Sequence, residues 1–169
     1  MKRSSQSAFS LYELLVALAL ISIGTSLAIP SLAALQQKSE REALRNHLHA
    51  SLHHARLQAV LHKTSVELCG SHDGANCGRD WSQGWRMQFM NAPEHIMLIQ
   101  QHRSSTPLRW VGFDSRIRFH ANGTSPSSNG RFFQCKGKAM AWQLILNRQG
   151  RVRLASHQEN LEEAHRCQG

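Results

Sequence analysis

Residues 8–35, AFSLYELLVALALISIGTSLAIPSLAAL, form the most apolar stretch of the chain. No charged residue occurs from Leu14 to Leu35, which is long enough for the ~20 residues that a helix needs to cross a hydrocarbon core. The stretch therefore predicts a membrane-spanning helix. A cleaved secretory signal peptide is the alternative, because the basic residues Lys2 and Arg3 precede the apolar run. Glu13 at the edge of the run, and the length of the run, favour an anchor.

The segment Ala8-Phe9-Ser10-Leu11-Tyr12-Glu13 resembles the type IV prepilin processing site, whose usual pattern is Gly-Phe-Ser/Thr-Leu-x-Glu. Here Ala8 stands where glycine is usual. The resemblance implies that residues 1–8 are a leader peptide. It also implies that a prepilin peptidase cuts between Ala8 and Phe9 on the cytoplasmic side, and that the new amine of Phe9 is methylated.

Glu13 is a carboxylate at the start of an apolar helix. Such a group costs a few kcal/mol in hydrocarbon unless it finds a partner. The family resemblance implies that this partner is a terminal amine, either its own or that of the adjacent subunit, which makes Glu13 an assembly residue. A chance interfacial glutamate is the alternative interpretation.

The helix is predicted to continue beyond the apolar stretch, to about His62. Apolar residues recur there at three- and four-residue spacing, which is typical of a helix with one buried face: Leu44, Leu48, Leu52, Ala55 and Ala59. We therefore divide the helical region into a transmembrane or filament-core segment, 9–35, and an amphipathic segment, 36–63.

Residues 64–169 predict a β-rich head. Short alternating or apolar runs indicate strands at 64–69, 85–89, 95–99, 116–119, 140–146 and 151–154. Turn residues separate them, and Ser125–Gly130 is expected to be an exposed loop. Together with the long helix, this predicts an α+β protein in which an antiparallel sheet packs on the helix.

Three further segments extend the resemblance over most of the chain: Trp81–Trp85, Phe119–Thr124 and Asn147–Arg153. Their order and spacing are similar to landmarks of the GspH/FimT family of minor pilins and pseudopilins, which implies a pilin-like fold. It also implies a single-pass protein of the inner membrane with a periplasmic head, which joins other major and minor pilins in a type IV pilus at the cell surface. The alternative is a minor pseudopilin of a type II secretion system.

Some pilus members of this family bind double-stranded DNA for natural transformation through a Gly-Arg-x-Arg motif, which stands here as Gly150-Arg151-Val152-Arg153. On a strand, residues two apart share a face, so Arg151 and Arg153 are expected to point outwards while Val152 and Leu154 face the core. Guanidinium groups match phosphate oxygens without reading sequence. Arg148 lies close by, and Arg131, Lys136 and Lys138 extend the patch if their hairpin is near. The alternative is an edge strand whose charges only keep it soluble.

Charge agrees with an anionic partner, since the chain carries a formal net charge of +9. Its four cysteines suggest disulfides in an oxidising periplasm. Of the three possible pairings we favour Cys69 with Cys77, which closes a Gly/Asn-rich loop, and Cys135 with Cys167, which holds the C-terminal tail. Zinc ligation by these cysteines is the alternative.

The eleven histidines raise the question of a metal site or an enzyme. His49 and His53 share one helix face through their i,i+4 spacing, but a solvated helix face is the favoured interpretation. No His-Glu-x-x-His motif, nucleophile elbow or phosphate loop occurs. We therefore expect no catalysis, no cofactor and no metal.

Processing is the first prediction. Co-expression with a prepilin peptidase should remove residues 1–8, so that mass spectrometry finds Phe9 at the N-terminus of the membrane-bound form. Glu13→Ala should leave cleavage intact and reduce incorporation into filaments, because the carboxylate is assigned to assembly. A mature terminus beyond Ser31 would instead indicate a secretory signal peptide.

Overall fold

The computed structural model describes residues 11–102 and 106–168, apart from the side chain of Leu27. The processing residues Ala8 and Phe9 therefore lie outside the described residues. The chain divides into two compact units, Met1–Glu40 and Arg41–Gly169, called the first and the second unit below. One α-helix, α1 (Leu11–Leu61), contributes residues to both.

In the first unit, the described side chains of α1 are exposed on all sides of the helix. They include large apolar groups such as Leu11, Leu14, Leu18, Ile21 and Ile29. By length and composition the helix is able to cross a membrane. A helix that is apolar all round requires lipid or an apolar partner, so the first unit has the properties of an anchor.

The second unit contains two four-stranded antiparallel sheets. Sheet A has the order β3-β2-β1-β5 and sheet B the order β4-β6-β7-β8. The strands are β1 (Val66–Gly70), β2 (Gly84–Phe89), β3 (Ile96–Gln101), β4 (Arg109–Gly112), β5 (Ile117–Phe119), β6 (Gly130–Lys136), β7 (Ala139–Leu146) and β8 (Val152–Leu154). A short helix, α2 (His157–Glu162), and a 3₁₀ turn, Ala164–Cys167, follow β8.

The core lies between the second half of α1 and residues of both sheets. The predicted stripe of α1 is buried, with Leu48, Leu52, Ala55 and Ala59 fully inaccessible. It joins one cluster with residues of sheet A and sheet B, among them Val66, Leu68, Trp85, Met87, Ile117, Phe119, Phe132, Trp142, Leu144 and Leu146. The same stripe therefore supports both sheets.

The end of α1 sets the start of β1. Lys63 adopts a positive φ of 50°, and the amide of Thr64 donates to the carbonyl of Ala59 at 3.2 Å. This is the hydrogen bond of a Schellman ending, which reverses the chain after a helix. Strand β1 begins at Val66, three residues after Lys63, and is an inner strand of sheet A.

The α+β fold expected from the sequence is confirmed, and each of the six expected strands is present within a few residues. Strands β4 and β6 and helix α2 were not predicted from the sequence. The prediction of residues 125–130 as a plain exposed loop is wrong, because Ser125 and Ser128 are fully buried. The Ser125 hydroxyl donates to the Arg118 carbonyl at 2.7 Å, and the Ser128 hydroxyl accepts from the Arg118 amide at 2.9 Å.

The helix stripe generates a stability prediction. Leu52→Ala should lower the free energy of unfolding by about 2–5 kcal/mol, because it leaves a cavity in the core. Leu57→Ala is the matched control on the same helix, where the side chain is 53% exposed, and should cost only about 0.5 kcal/mol. Urea unfolding of the fragment Gln36–Gly169, which retains every core residue, measures both. Equal losses would contradict the assigned helix face.

Candidate nucleic-acid interface

The Gly-Arg-x-Arg motif begins in the turn between β7 and β8. The Asn147 amide donates to the Arg151 carbonyl at 3.1 Å, and the Gly150 amide donates to the Asn147 carbonyl at 3.0 Å. The Asn147 side chain accepts from the Arg151 amide at 2.9 Å. These three hydrogen bonds hold the turn in one conformation, and they place Arg148 and Arg151 at its exposed surface.

Gly150 is required at its position for two reasons. Its φ is +74°, a value that side chains disfavour, and a Cβ there would lie 2.1 Å from the carbonyl oxygen of Gly123. That oxygen accepts a hydrogen bond from Nε of Arg56 on α1 at 3.0 Å. The Ser125 amide also donates to the Arg148 carbonyl at 2.9 Å. The turn is therefore packed on a loop that is itself tied to the helix.

Arg153, by contrast, is engaged within the chain. Its two terminal nitrogens lie 2.9 and 2.6 Å from the carboxylate oxygens of Glu159. Glu159 also accepts from the Ser156 amide at 2.8 Å, while the Ser156 hydroxyl accepts from the Glu159 amide. This reciprocal pair is the capping box of α2. It fixes the carboxylate beside Arg153.

The electrostatics follow from these contacts. The hydrogen bonds from Arg153, and then the Ser156 amide, lower the pKa of Glu159 to about 2. The same carboxylate raises the pKa of Arg153. Among the residues that the structure describes, neither Arg148 nor Arg151 forms an ion pair. The turn residues Arg148 and Arg151 therefore carry the positive charge of this region that has no acidic partner among the described residues.

Arg151 and Arg153 are both exposed as expected, but the expectation that they lie together on one strand needs correction. Arg151 precedes β8, and only Arg153 lies within it. Val152 is buried as expected, but Leu154 is 48% exposed rather than in the core, because β8 is the edge strand of sheet B and has only three residues.

The proposed extensions of the patch are separated from it or already paired. Arg131 forms an ion pair with Glu163 and donates to the Gln143 side chain. Lys136 and Lys138 lie at the other end of the β6–β7 hairpin, where Lys136 pairs with Ala139. The length of β7 separates them from the turn by ~23 Å at 3.3 Å per residue.

Glu13 and the four cysteines are the remaining site residues that were predicted from the sequence. Glu13 lies in the first turn of α1. The structure contains both expected disulfides, Cys69–Cys77 and Cys135–Cys167, so the zinc alternative has no cysteine ligands. The ion pair between Glu159 and Arg153 was not predicted from the sequence. The spacing of Ser156 and Glu159 is the capping-box signature that could have indicated it.

Comparison of the sequence with known protein families gives two matches. A family model described as "Type II transport protein GspH" matches residues 45–150, and one described as "Prokaryotic N-terminal methylation motif" matches residues 3–29. None of the curated protein sequences matches the chain.

Two crystal forms of the type IV minor pilin FimU of Pseudomonas aeruginosa have a similar structure. The space group P21 form has a TM-score of 0.59 and 19% sequence identity, and covers 72% of this chain and 92% of FimU. The P65 form has a TM-score of 0.56 and 20% sequence identity, and it covers 68% of this chain and 92% of the FimU chain. At this level of identity the likeness concerns the fold.

The Arg153–Glu159 contact predicts a pH dependence. Because the pKa of Glu159 is lowered from 4.5 to about 2, its stabilising contribution is present above pH ~4.5 and is lost as the pH falls through about 2. NMR titration of the Glu159 carboxyl should therefore show a midpoint near 2, which moves towards 4.5 in Arg153→Gln. An unchanged midpoint in that variant would show that the ion pair does not form.

Proposed function

The chain belongs to the GspH family, whose model matches residues 45–150, and we propose that it acts as a minor pilin of a type IV pilus. The N-terminal methylation motif implies processing by a prepilin peptidase and partners among other pilins. The shared fold with FimU, a type IV minor pilin, supports this assignment. The description of the family as type II transport proteins favours a secretion pseudopilin as the second candidate.

The proposed location follows from three features of the chain. Residues 9–35, which include the exposed apolar part of α1 from Leu11, serve as the membrane or filament-core segment once the leader is removed. In this proposal residues 36–63, which include α1 as far as Leu61, are the amphipathic segment, and residues 64–169 are the β-rich head. Two disulfides in that part suit an oxidising periplasm. The protein is thus a single-pass inner-membrane protein until it enters the pilus.

We further propose that the head binds double-stranded DNA without sequence preference. The observation that carries this is the hydrogen-bonded turn Asn147–Arg151, which exposes two guanidinium groups without acidic partners among the described residues. Guanidinium forks suit phosphate oxygens, and a rigid turn loses little conformational freedom on binding. The charge of the chain adds long-range attraction, since +9 falls only to +7 when Lys2 and Arg3 leave with the leader.

The test compares two double variants that remove the same charge from different places. Arg148→Gln with Arg151→Gln should reduce the slope of log affinity against log salt by about 1.8, the value for two phosphate contacts. Lys136→Gln with Lys138→Gln should leave the slope nearly unchanged. Fluorescence anisotropy of the full chain in detergent, with duplexes of unrelated sequence, measures both.

A third variant tests the assigned role of Glu159. Glu159→Gln retains the capping box, since glutamine serves at that position, but it releases Arg153. The slope should then rise by up to about 0.9. Equal losses in the two double variants would show that general basicity is responsible. If the parent chain fails to bind at low salt, the secretion pseudopilin becomes the better assignment.

A further inference from the structure

Two histidines of α1 face each other on the outside of the second unit. His49 and His53 are one turn apart, and each follows a fully buried leucine, Leu48 or Leu52, on the helix. His53 is exposed and His49 partly so. Their rings meet edge to face with centroids 4.5 Å apart, and their Nε2 atoms are separated by 3.2 Å. Two nitrogen ligands therefore converge at one accessible point.

The separation of the two Nε2 atoms matches the requirement of a single metal ion. Zinc binds imidazole nitrogen at ~2.05 Å, so two ligands at the tetrahedral angle lie ~3.3 Å apart. The observed 3.2 Å corresponds to an angle of ~103° at the ion for the same bond length. The rings must rotate from their edge-to-face arrangement to point both lone pairs at the ion, while their i,i+4 spacing on the helix keeps them side by side.

Ligation changes the tautomer of one ring. In the N–H···N contact one ring donates from Nε2. To bind an ion through Nε2, that ring carries its proton on Nδ1 instead, so that both Nε2 atoms offer a lone pair.

We propose that His49 and His53 bind one divalent transition-metal ion of the zinc, nickel and copper class through their Nε2 atoms. Water completes the coordination, because within residues 11–102 and 106–168 no cluster of three metal-ligating side chains occurs. The guanidinium of Arg56 repels a cation and limits the affinity. For a site of this kind the order of affinity places copper above nickel and zinc.

Neighbouring histidines provide a matched control. His54 is also exposed on α1, but its Nε2 lies 2.9 Å from the side-chain nitrogen of Gln58. From His49 to His54 the helix turns by about 140°, so these two rings do not share a face. His53→Ala and His54→Ala each remove one imidazole, from adjacent positions of α1. Only His53→Ala disrupts the i,i+4 pair of His49 and His53.

The experiment titrates the full chain, without a polyhistidine tag and in non-ionic detergent, with Zn²⁺, Ni²⁺ and Cu²⁺ by calorimetry. The parent and His54→Ala should bind one ion at the tightest site with equal affinity. His49→Ala and His53→Ala should each lose at least about tenfold in affinity, since even changes to outer-shell partners cost 10–100-fold.

Thermal unfolding provides a second measurement. Because the ion links two turns of the folded helix, saturating Zn²⁺ should raise the melting temperature of the parent and of His54→Ala, but not that of His53→Ala. Melting without metal shows whether each variant is folded. The proposal is overturned if the parent binds no ion, or if His53→Ala and His54→Ala bind equally well.

Discussion

The burial of one stripe of α1 determines the arrangement of the second unit. Leu48 and Leu52 are fully inaccessible and contact a cluster drawn from both sheets. Each such side chain contributes about 1.5–3 kcal/mol by leaving water. Ala55 and Ala59 continue the buried stripe with small side chains.

Two residues of α1 beside the stripe, Arg56 and Val60, position the loop on which the candidate DNA-binding turn rests. A Cβ on Gly123 would lie 3.1 Å from Val60 and 3.2 Å from Nε of Arg56, and a Cβ on Gly150 would lie 2.1 Å from the Gly123 carbonyl. Helix, loop and turn are thus stacked with no room for a side chain at Gly150 and little at Gly123. The position of Arg151, next to Gly150, depends on this stack. A motif near the C-terminus is therefore positioned by a helix near the N-terminus.

The elements predictable from the sequence were those in which pattern and burial agree. The three- and four-residue spacing from Leu44 to Ala59 indicated the buried helix face, and alternation indicated most strands. Strand β6 was missed because Gln134 is buried in it, where its side chain accepts from Trp142 Nε1 and donates to the Thr106 carbonyl. The exposed loop predicted around Ser125 and Ser128 was wrong for the same reason. In a sequence, polar residues that are buried with internal hydrogen-bond partners cannot be distinguished from loop residues.

The two arginines of the motif show how tertiary contacts override a local pattern. Their spacing predicted equivalent side chains, but a capping box six residues further along the chain places a carboxylate against Arg153 alone. An exposed ion pair of this kind contributes little to stability, of the order of 0–1 kcal/mol. It still places a negative charge against one guanidinium, and the Ser156 amide holds the Glu159 carboxylate there. A phosphate must displace that carboxylate to reach Arg153, whereas Arg148 and Arg151 have no such competitor within the described residues. Of the two arginines in the motif, Arg153 therefore contacts α2 through Glu159, and Arg151 is the one that the proposed interface uses.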